Sequence, residues 1–183
     1  MKKLIIIACA VIVAVIFSAV ACSAGINEEL ASAIEKNDIQ KVKDLIAKGA
    51  NVNAKDDHGT TPLMFAALME RAEAARLLIA RGAEVNAAEL DGWTALTFAI
   101  RVGQAEIAKL LIEKGADVNA KDAYGWTPLM HAASVGDTTI AKLILDKGAD
   151  ANAESLKGDT ALSIAERENK KDMVTLLQKT GSE

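Results

Sequence analysis

Cysteine, proline, histidine and aromatic residues are all scarce in this chain of 183 residues. Two cysteines are present, and Cys9 lies inside an unbroken apolar run from Leu4 to Phe17. If that run is removed on maturation, Cys22 is the only cysteine left. An internal disulfide is then excluded, and stability must come from packing. The two histidines, His58 and His131, stand 73 positions apart, too few and too scattered for the convergent ligands of a metal centre. No nucleophile elbow, phosphate-cradling glycine loop, HExxH or CxxC occurs, which speaks against an enzyme and against a cofactor or small-molecule substrate. Clustered Lys and Arg are missing too. The formal net charge is −4, and becomes −6 once the two lysines before Cys22 are removed, so nucleic acid is excluded as a partner.

What the chain does have starts at its amino end. Lys2 and Lys3 precede the apolar run, and the small residues Ser18-Ala19-Val20-Ala21 follow it up to Cys22. A basic start, an apolar stretch and a small-residue site in that order read as a secretory signal peptide over 1–21. Ala19-Val20-Ala21-Cys22 resembles the lipobox of bacterial lipoproteins, with Ala19 where that family usually has Leu. The resemblance implies cleavage before Cys22 and acylation of Cys22, enough acyl chain for stable anchoring. Soluble release into the periplasm is the second reading, and an uncleaved anchor the third. All three put the rest of the chain outside the cytoplasm.

Beyond a short linker at 22–26, two markers recur at a constant step of 33 residues. The first is Thr61-Pro62-Leu63, Thr94-Ala95-Leu96, Thr127-Pro128-Leu129 and Thr160-Ala161-Leu162. The second is Gly49-Ala50-Asn51-Val52-Asn53, followed by its equivalents at Gly82, Gly115 and Gly148, with Gly181 where another would begin. Each unit reads as helix, turn, helix and hairpin-like loop. The threonine is suited to cap the first helix, and proline at the first helical position forfeits no hydrogen bond. Gly103, Gly136, Asn37 and Asn169 suit the left-handed residue that ends the first helix, and Glu70 at the same place predicts a less regular turn. The second helix carries apolar pairs such as Leu77-Leu78 and Leu110-Leu111. It ends in Lys48, Arg81, Lys114 or Lys147 ahead of a glycine, a cation complementing the negative helix end.

On these motifs the chain resembles the ankyrin-repeat family over roughly Asn27 to Gly181, since that family combines a 33-residue period with both markers. The resemblance implies an all-α solenoid of five units, 27–59, 60–92, 93–125, 126–158 and 159–183, within a domain over 27–183. Glu28, Glu29 and Asp44 in the first unit, and Lys170, Lys171, Asp172, Gln178 and Lys179 in the last, give the ends the polar faces of capping repeats. Met64, Thr97, Met130 and Ser163 stand where the family has a histidine that ties neighbouring loops together, so weaker hydrogen bonding between repeats is expected.

The family's partner-binding groove, carried over by position, has two sets of residues here. Its hairpin tips comprise Asp57, His58 and Thr60; Leu90, Asp91 and Trp93; Ala123, Tyr124 and Trp126; and Leu156, Lys157 and Asp159. Its helix set comprises Leu68 and Met69, Arg101 and Val102, and Ser134 and Val135. Both tryptophans and the only tyrosine fall into this set. Aromatic residues at such places are typical interface anchors. Trp93 and Trp126 are expected to project side by side, so that truncating both to alanine abolishes binding with melting nearly unchanged. The second reading is that each simply covers its own hairpin, a common use of that place in ankyrin loops. His131 takes the place of Phe65, Phe98 and Ile164 and is expected to pack inward. His58, beside Asp56 and Asp57, reads as a solvated turn in which Asp56 bonds its own loop. The function expected from all this is binding another protein at the bacterial cell envelope. Similarity to exported bacterial ankyrin proteins adds narrower alternatives: an inhibitor or immunity protein, an accessory factor for an enzyme such as a catalase, or a host-directed effector.

Overall fold

The computed structural model describes residues 25–180. The signal segment, Cys22 and Gly181 lie outside the described residues. Ten helices run through the described part: α1 over 25–35, α2 Ile39–Ala47, α3 Pro62–Leu68, α4 Ala72–Ala80, α5 Ala95–Arg101, α6 Ala105–Glu113, α7 Pro128–Val135, α8 Thr138–Leu145, α9 Ala161–Arg167 and α10 Lys171–Thr180. No strand is formed among them; the nearest approach is an isolated antiparallel bridge between Ala88 and Thr94.

The local sequence explains where each helix begins and ends. Thr61, Thr94, Thr127 and Thr160 each sit in extended backbone and accept a hydrogen bond from the N–H three residues on. In three of the four units the residue that replaces the family histidine completes the cap from the other side. Met64 Sδ accepts from the Thr61 N–H at 3.4 Å, Met130 Sδ from Thr127 at 3.5 Å, and Ser163 Oγ from Thr160 at 2.9 Å. Sulfur is a weak acceptor, so the serine version is the better hydrogen bond. At the other end, Asn37, Gly103, Gly136 and Asn169 take the left-handed conformation expected of them. Glu70 does so as well, with φ of 61°. The irregular turn expected there is not found: the backbone repeats its neighbours' path, because the flanking helices fix both ends of the turn. The strain falls instead on a residue with a Cβ.

Packing follows from short inner helices that are apolar nearly all round. α3 stacks on α5, α5 on α7 and α7 on α9, while each also packs on its own outer helix. Alanines at 66, 67, 99, 132, 133 and 165 are fully buried in these contacts, so neighbouring backbones approach closely. The outer helices bury Leu78, Ile144 and Leu177 and leave Leu77, Leu143 and Leu176 half-buried, while α6 buries both Leu110 and Leu111. One continuous core results, from Leu30 to Leu177. Truncating a buried Leu such as Leu111 to Ala costs about 2–5 kcal/mol in a core of this kind. Glu28, Glu29 and Asp44 are exposed at one end, and Lys171, Asp172, Gln178 and Lys179 at the other.

Neighbouring loops are nonetheless tied together without the family histidine. Asn53 donates from Nδ2 to the Gly82 carbonyl at 3.1 Å, and its Oδ1 accepts from the Glu84 N–H at 2.8 Å. Asn86 spans to Gly115 and Asp117 in the same way, and Asn119 to Gly148 and Asp150. Each amide thus satisfies one donor and one acceptor of the next unit.

Candidate functional site

Each hairpin tip is built around one side chain that gathers its own loop. Asp56 Oδ1 accepts from the N–H groups of His58 and Thr60, Glu89 Oε1 from Asp91 and Trp93, Asp122 Oδ1 from Tyr124 and Trp126, and Ser155 Oγ from Lys157 and Asp159. This is the loop-bonding role expected of Asp56. Partial burial works to raise its carboxyl, but the Thr60 and His58 donors outweigh it and hold the pKa below the ordinary value.

The tips are then laced to one another at the repeat step. The His58 carbonyl accepts from the Leu90 N–H at 3.0 Å, the Asp91 carbonyl from Ala123 at 2.8 Å, and the Tyr124 carbonyl from Leu156 at 3.0 Å. So close an approach needs glycine on the near side. A Cβ on Gly92 would stand 2.9 Å from Asp122 Cα, and one on Gly125 only 2.8 Å from the Leu156 nitrogen. Gly158, on the last tip, has nothing within 4 Å.

Three of the tips turn one large apolar side chain outward. Leu90 is 76% exposed, Tyr124 63% and Leu156 80%, in a row along the tips. Leu68 and Val135 at inner-helix ends are exposed as well. These five are the only exposed large apolar side chains among the described residues, and all five belong to the groove set predicted from repeat position. Of the rest of that set, Asp57, His58, Asp91, Ala123, Arg101 and Lys157 are exposed, and Thr60, Met69, Val102, Ser134 and Asp159 are partly covered.

The tryptophans follow the second of their two readings. Trp93 and Trp126 are half-buried, not free in solvent. The imidazole of His131 separates them, with ring centroids 5.4 Å from Trp93, edge-on, and 5.1 Å from Trp126. Trp93 also leans on Phe98 at 5.3 Å, and the Arg101 guanidinium lies over its ring at 5.5 Å. Each indole therefore covers its own hairpin and an inner helix while showing part of its surface. Truncating both would remove core contacts, so an unchanged melting temperature is no longer the expected result.

His131 is buried as predicted, but it is more than a filler. Its Nε2 lies 2.9 Å from Asp122 Oδ2, and both side chains are almost fully enclosed. A carboxylate offers only acceptors, so Nε2 carries the hydrogen and Nδ1 is the bare acceptor, buried without a partner. Burial lowers the pKa of the imidazole below its usual value; Asp122 works against this and Arg101 with it. A histidine where other units have Phe or Ile, nine residues after the tip acid of its own loop, was the sequence signal for this pair.

Around these rings lies a hollow of about 510 Å³, walled by Trp93, Tyr124, Trp126, His131 and Leu156, with Lys157, Asp159 and Arg167 at its edge. Arg167 bonds Asp159 at 2.7 Å across that edge. A second hollow of about 550 Å³ lies at the other end of the same face, bordered by Glu28, Asp56, Asp57 and Phe65. Among the described residues no group of three or more His, Cys, Asp or Glu side chains is placed to hold a metal ion. Within the same residues no helix is long and apolar enough to cross a membrane.

A family model described as ankyrin repeats (3 copies) matches residues 30–122 and again 120–183. No curated protein matches the chain.

Proposed function

The chain belongs to the ankyrin-repeat family, and on that premise we propose that it binds a protein partner along the face made by its hairpin tips and inner-helix ends. Ankyrin repeats are protein–protein interaction modules and as a rule do not catalyse. The observation that carries the choice of face is the row of Leu90, Tyr124 and Leu156, with Leu68 and Val135 beside it. Apolar side chains collected on one surface are the usual mark of a contact site. We read the repeat domain as five units over 27–183, with the last and first as caps.

The test uses the three tip residues, whose side chains stand clear of the core. Charging two of them and trimming the third (Leu90→Glu, Tyr124→Ala, Leu156→Glu) is expected to leave the far-ultraviolet spectrum and melting unchanged. A photocrosslinker placed at Leu90 should capture a discrete partner, while one at Lys109 on the outer helix α6 should not. If the triple variant binds that purified partner as tightly as the unaltered chain, this face is not the interface.

The site of action belongs to the same proposal. Lys2, Lys3, the apolar run and Ala19-Val20-Ala21-Cys22 support export and acylation at Cys22, so the binding face would work at the envelope surface. The intact mass of the mature protein decides between its forms. Residues 22–183 plus acyl groups in the membrane fraction mean an anchored module. The bare mass in the soluble fraction means a diffusible periplasmic one. With the partner in hand, loss of its activity on binding would identify an inhibitor or immunity protein, and gain of activity an accessory factor.

A further inference from the structure

We propose that the hollow between Trp93, Trp126 and Leu156 is an anchor pocket for one aromatic side chain of the partner, carried next to a carboxylate. This rests on the protein-binding reading above and names the chemistry of what is bound. The walls come from four large apolar or aromatic surfaces, and Tyr124 and Leu156 are among the most exposed side chains of their kind. The two polar side chains at the back, Asp122 and His131, are already bonded to each other. A sugar or another polyhydroxylated ligand would therefore find few free partners, whereas an aromatic ring needs only surface and edge contacts. A volume of about 510 Å³ accommodates such a ring together with the backbone that carries it.

Charge selects the neighbour of that ring. The chain as a whole is acidic, at −4, yet Arg101 and Lys157 put two cations beside this pocket. Arg101 lies over Trp93, Lys157 borders Leu156, and neither makes an ion pair among the described residues. In the lining, Asp159 is engaged by Arg167 and the buried Asp122 is hydrogen-bonded to the neutral His131, which leaves Lys157 as the exposed charge without an ion pair. With Arg101 nearby over Trp93, this favours a carboxylate beside the aromatic anchor. The opposite end of the face has three acids, Glu28, Asp56 and Asp57, against the single cation Lys55, so the preference is local to this pocket.

Trp93 and Trp126 are the only tryptophans of the chain, so intrinsic fluorescence reports on this pocket directly. The purified full chain would be titrated with three blocked tripeptides: acetyl-Glu-Phe-Glu-amide, acetyl-Glu-Ala-Glu-amide and acetyl-Lys-Phe-Lys-amide. The first is expected to change tryptophan emission saturably, with a Kd of about 1 mM or tighter. The other two should bind about tenfold more weakly or not at all. The exposed pair Arg101→Glu with Lys157→Glu is expected to reverse the preference between the acidic and basic Phe peptides, by about threefold to fivefold for each charge. Equal binding of the Phe and Ala peptides, preference for the basic peptide by the unaltered chain, or no saturable response to any of them would overturn the proposal. A crosslinked partner still captured at Leu90 in that event would leave the broader protein-binding reading standing, and loss of that capture as well would remove both.

Discussion

The approach of one hairpin tip to the next makes a quantitative prediction with its own internal control. Gly125 and Gly158 occupy equivalent places on adjacent tips, with φ of 75° and 76°. Alanine at either must adopt left-handed backbone, at a cost of about 1 kcal/mol. The reduced freedom of the unfolded chain offsets part of that, equally at both sites. The difference lies in what the new methyl meets. At Gly158 it meets nothing within 4 Å, whereas at Gly125 it would lie 2.8 Å from the Leu156 nitrogen and 3.3 Å from the Ser155 carbonyl carbon. These are backbone atoms, so relief requires the next tip to move, which stretches the 3.0 Å bond from the Leu156 N–H to the Tyr124 carbonyl. Losing that bond is worth about 0.5–1.5 kcal/mol, with lost tip packing in addition. Gly158→Ala should therefore lower stability by about 1 kcal/mol and Gly125→Ala by about 2–3 kcal/mol. Gly92→Ala should resemble Gly125→Ala, because its methyl would stand 2.9 Å from Asp122 Cα. Urea unfolding followed by circular dichroism measures this, provided the slopes with denaturant agree. Equal shifts for Gly125→Ala and Gly158→Ala would refute the reasoning, since the cost would then be conformational alone.

Three further outcomes follow from the same structure. Glu70 holds a left-handed φ of 61° where Asn37 and Asn169 serve in other units, so Glu70→Asn should raise stability by about 0.5 kcal/mol in the same assay, even after losing the exposed contact from Gln104 Nε2. Asn86→Ala removes both bonds to the next loop, at 2.9 and 2.8 Å, and should lower stability by about 1–3 kcal/mol, with earlier amide exchange at Asp117 as the local sign. His131 has a folded-state pKa below its unfolded value of about 6.5, so the unfolded chain binds the proton more readily. Its contribution is present above pH of about 6.5 and is lost as pH falls through the lowered folded value. His131→Gln, which keeps a donor for Asp122 but does not titrate in this range, should therefore lose less melting temperature than the unaltered chain on acidification from neutral pH. Parallel melting curves against pH for the two proteins would show that His131 is not the group responsible.

Much of the exposed tip surface was legible from the sequence, and a particular kind of residue was not. Leu90, Tyr124 and Leu156 were found by position because tips repeat at 33 residues, and a residue that varies at a fixed place in a stack faces out. The tryptophans lie on the tip surface but half-buried, as in the reading that has each cover its own hairpin. Repeat position tells which surface a side chain leaves from, but not whether the next unit's histidine comes to meet it. His131 was placed inward correctly from its equivalence to Phe65, Phe98 and Ile164. Its pairing with Asp122 was missed because it depends on the distance between a tip and an inner helix.

The sequence by itself determined the order of helices, their caps and the outward row, because these rest on short-range rules. Threonine caps the N–H three residues on, glycine accepts positive φ, and the 33-residue step carries each rule into the next unit. Only the tertiary structure decided the asparagine rungs between loops, the imidazole between two indoles, the regular turn at Glu70 and the pocket beside Leu156. Each of these joins side chains from different units, or imposes a conformation that the local residue would not choose. Their energies exist only once the stack has brought the units together.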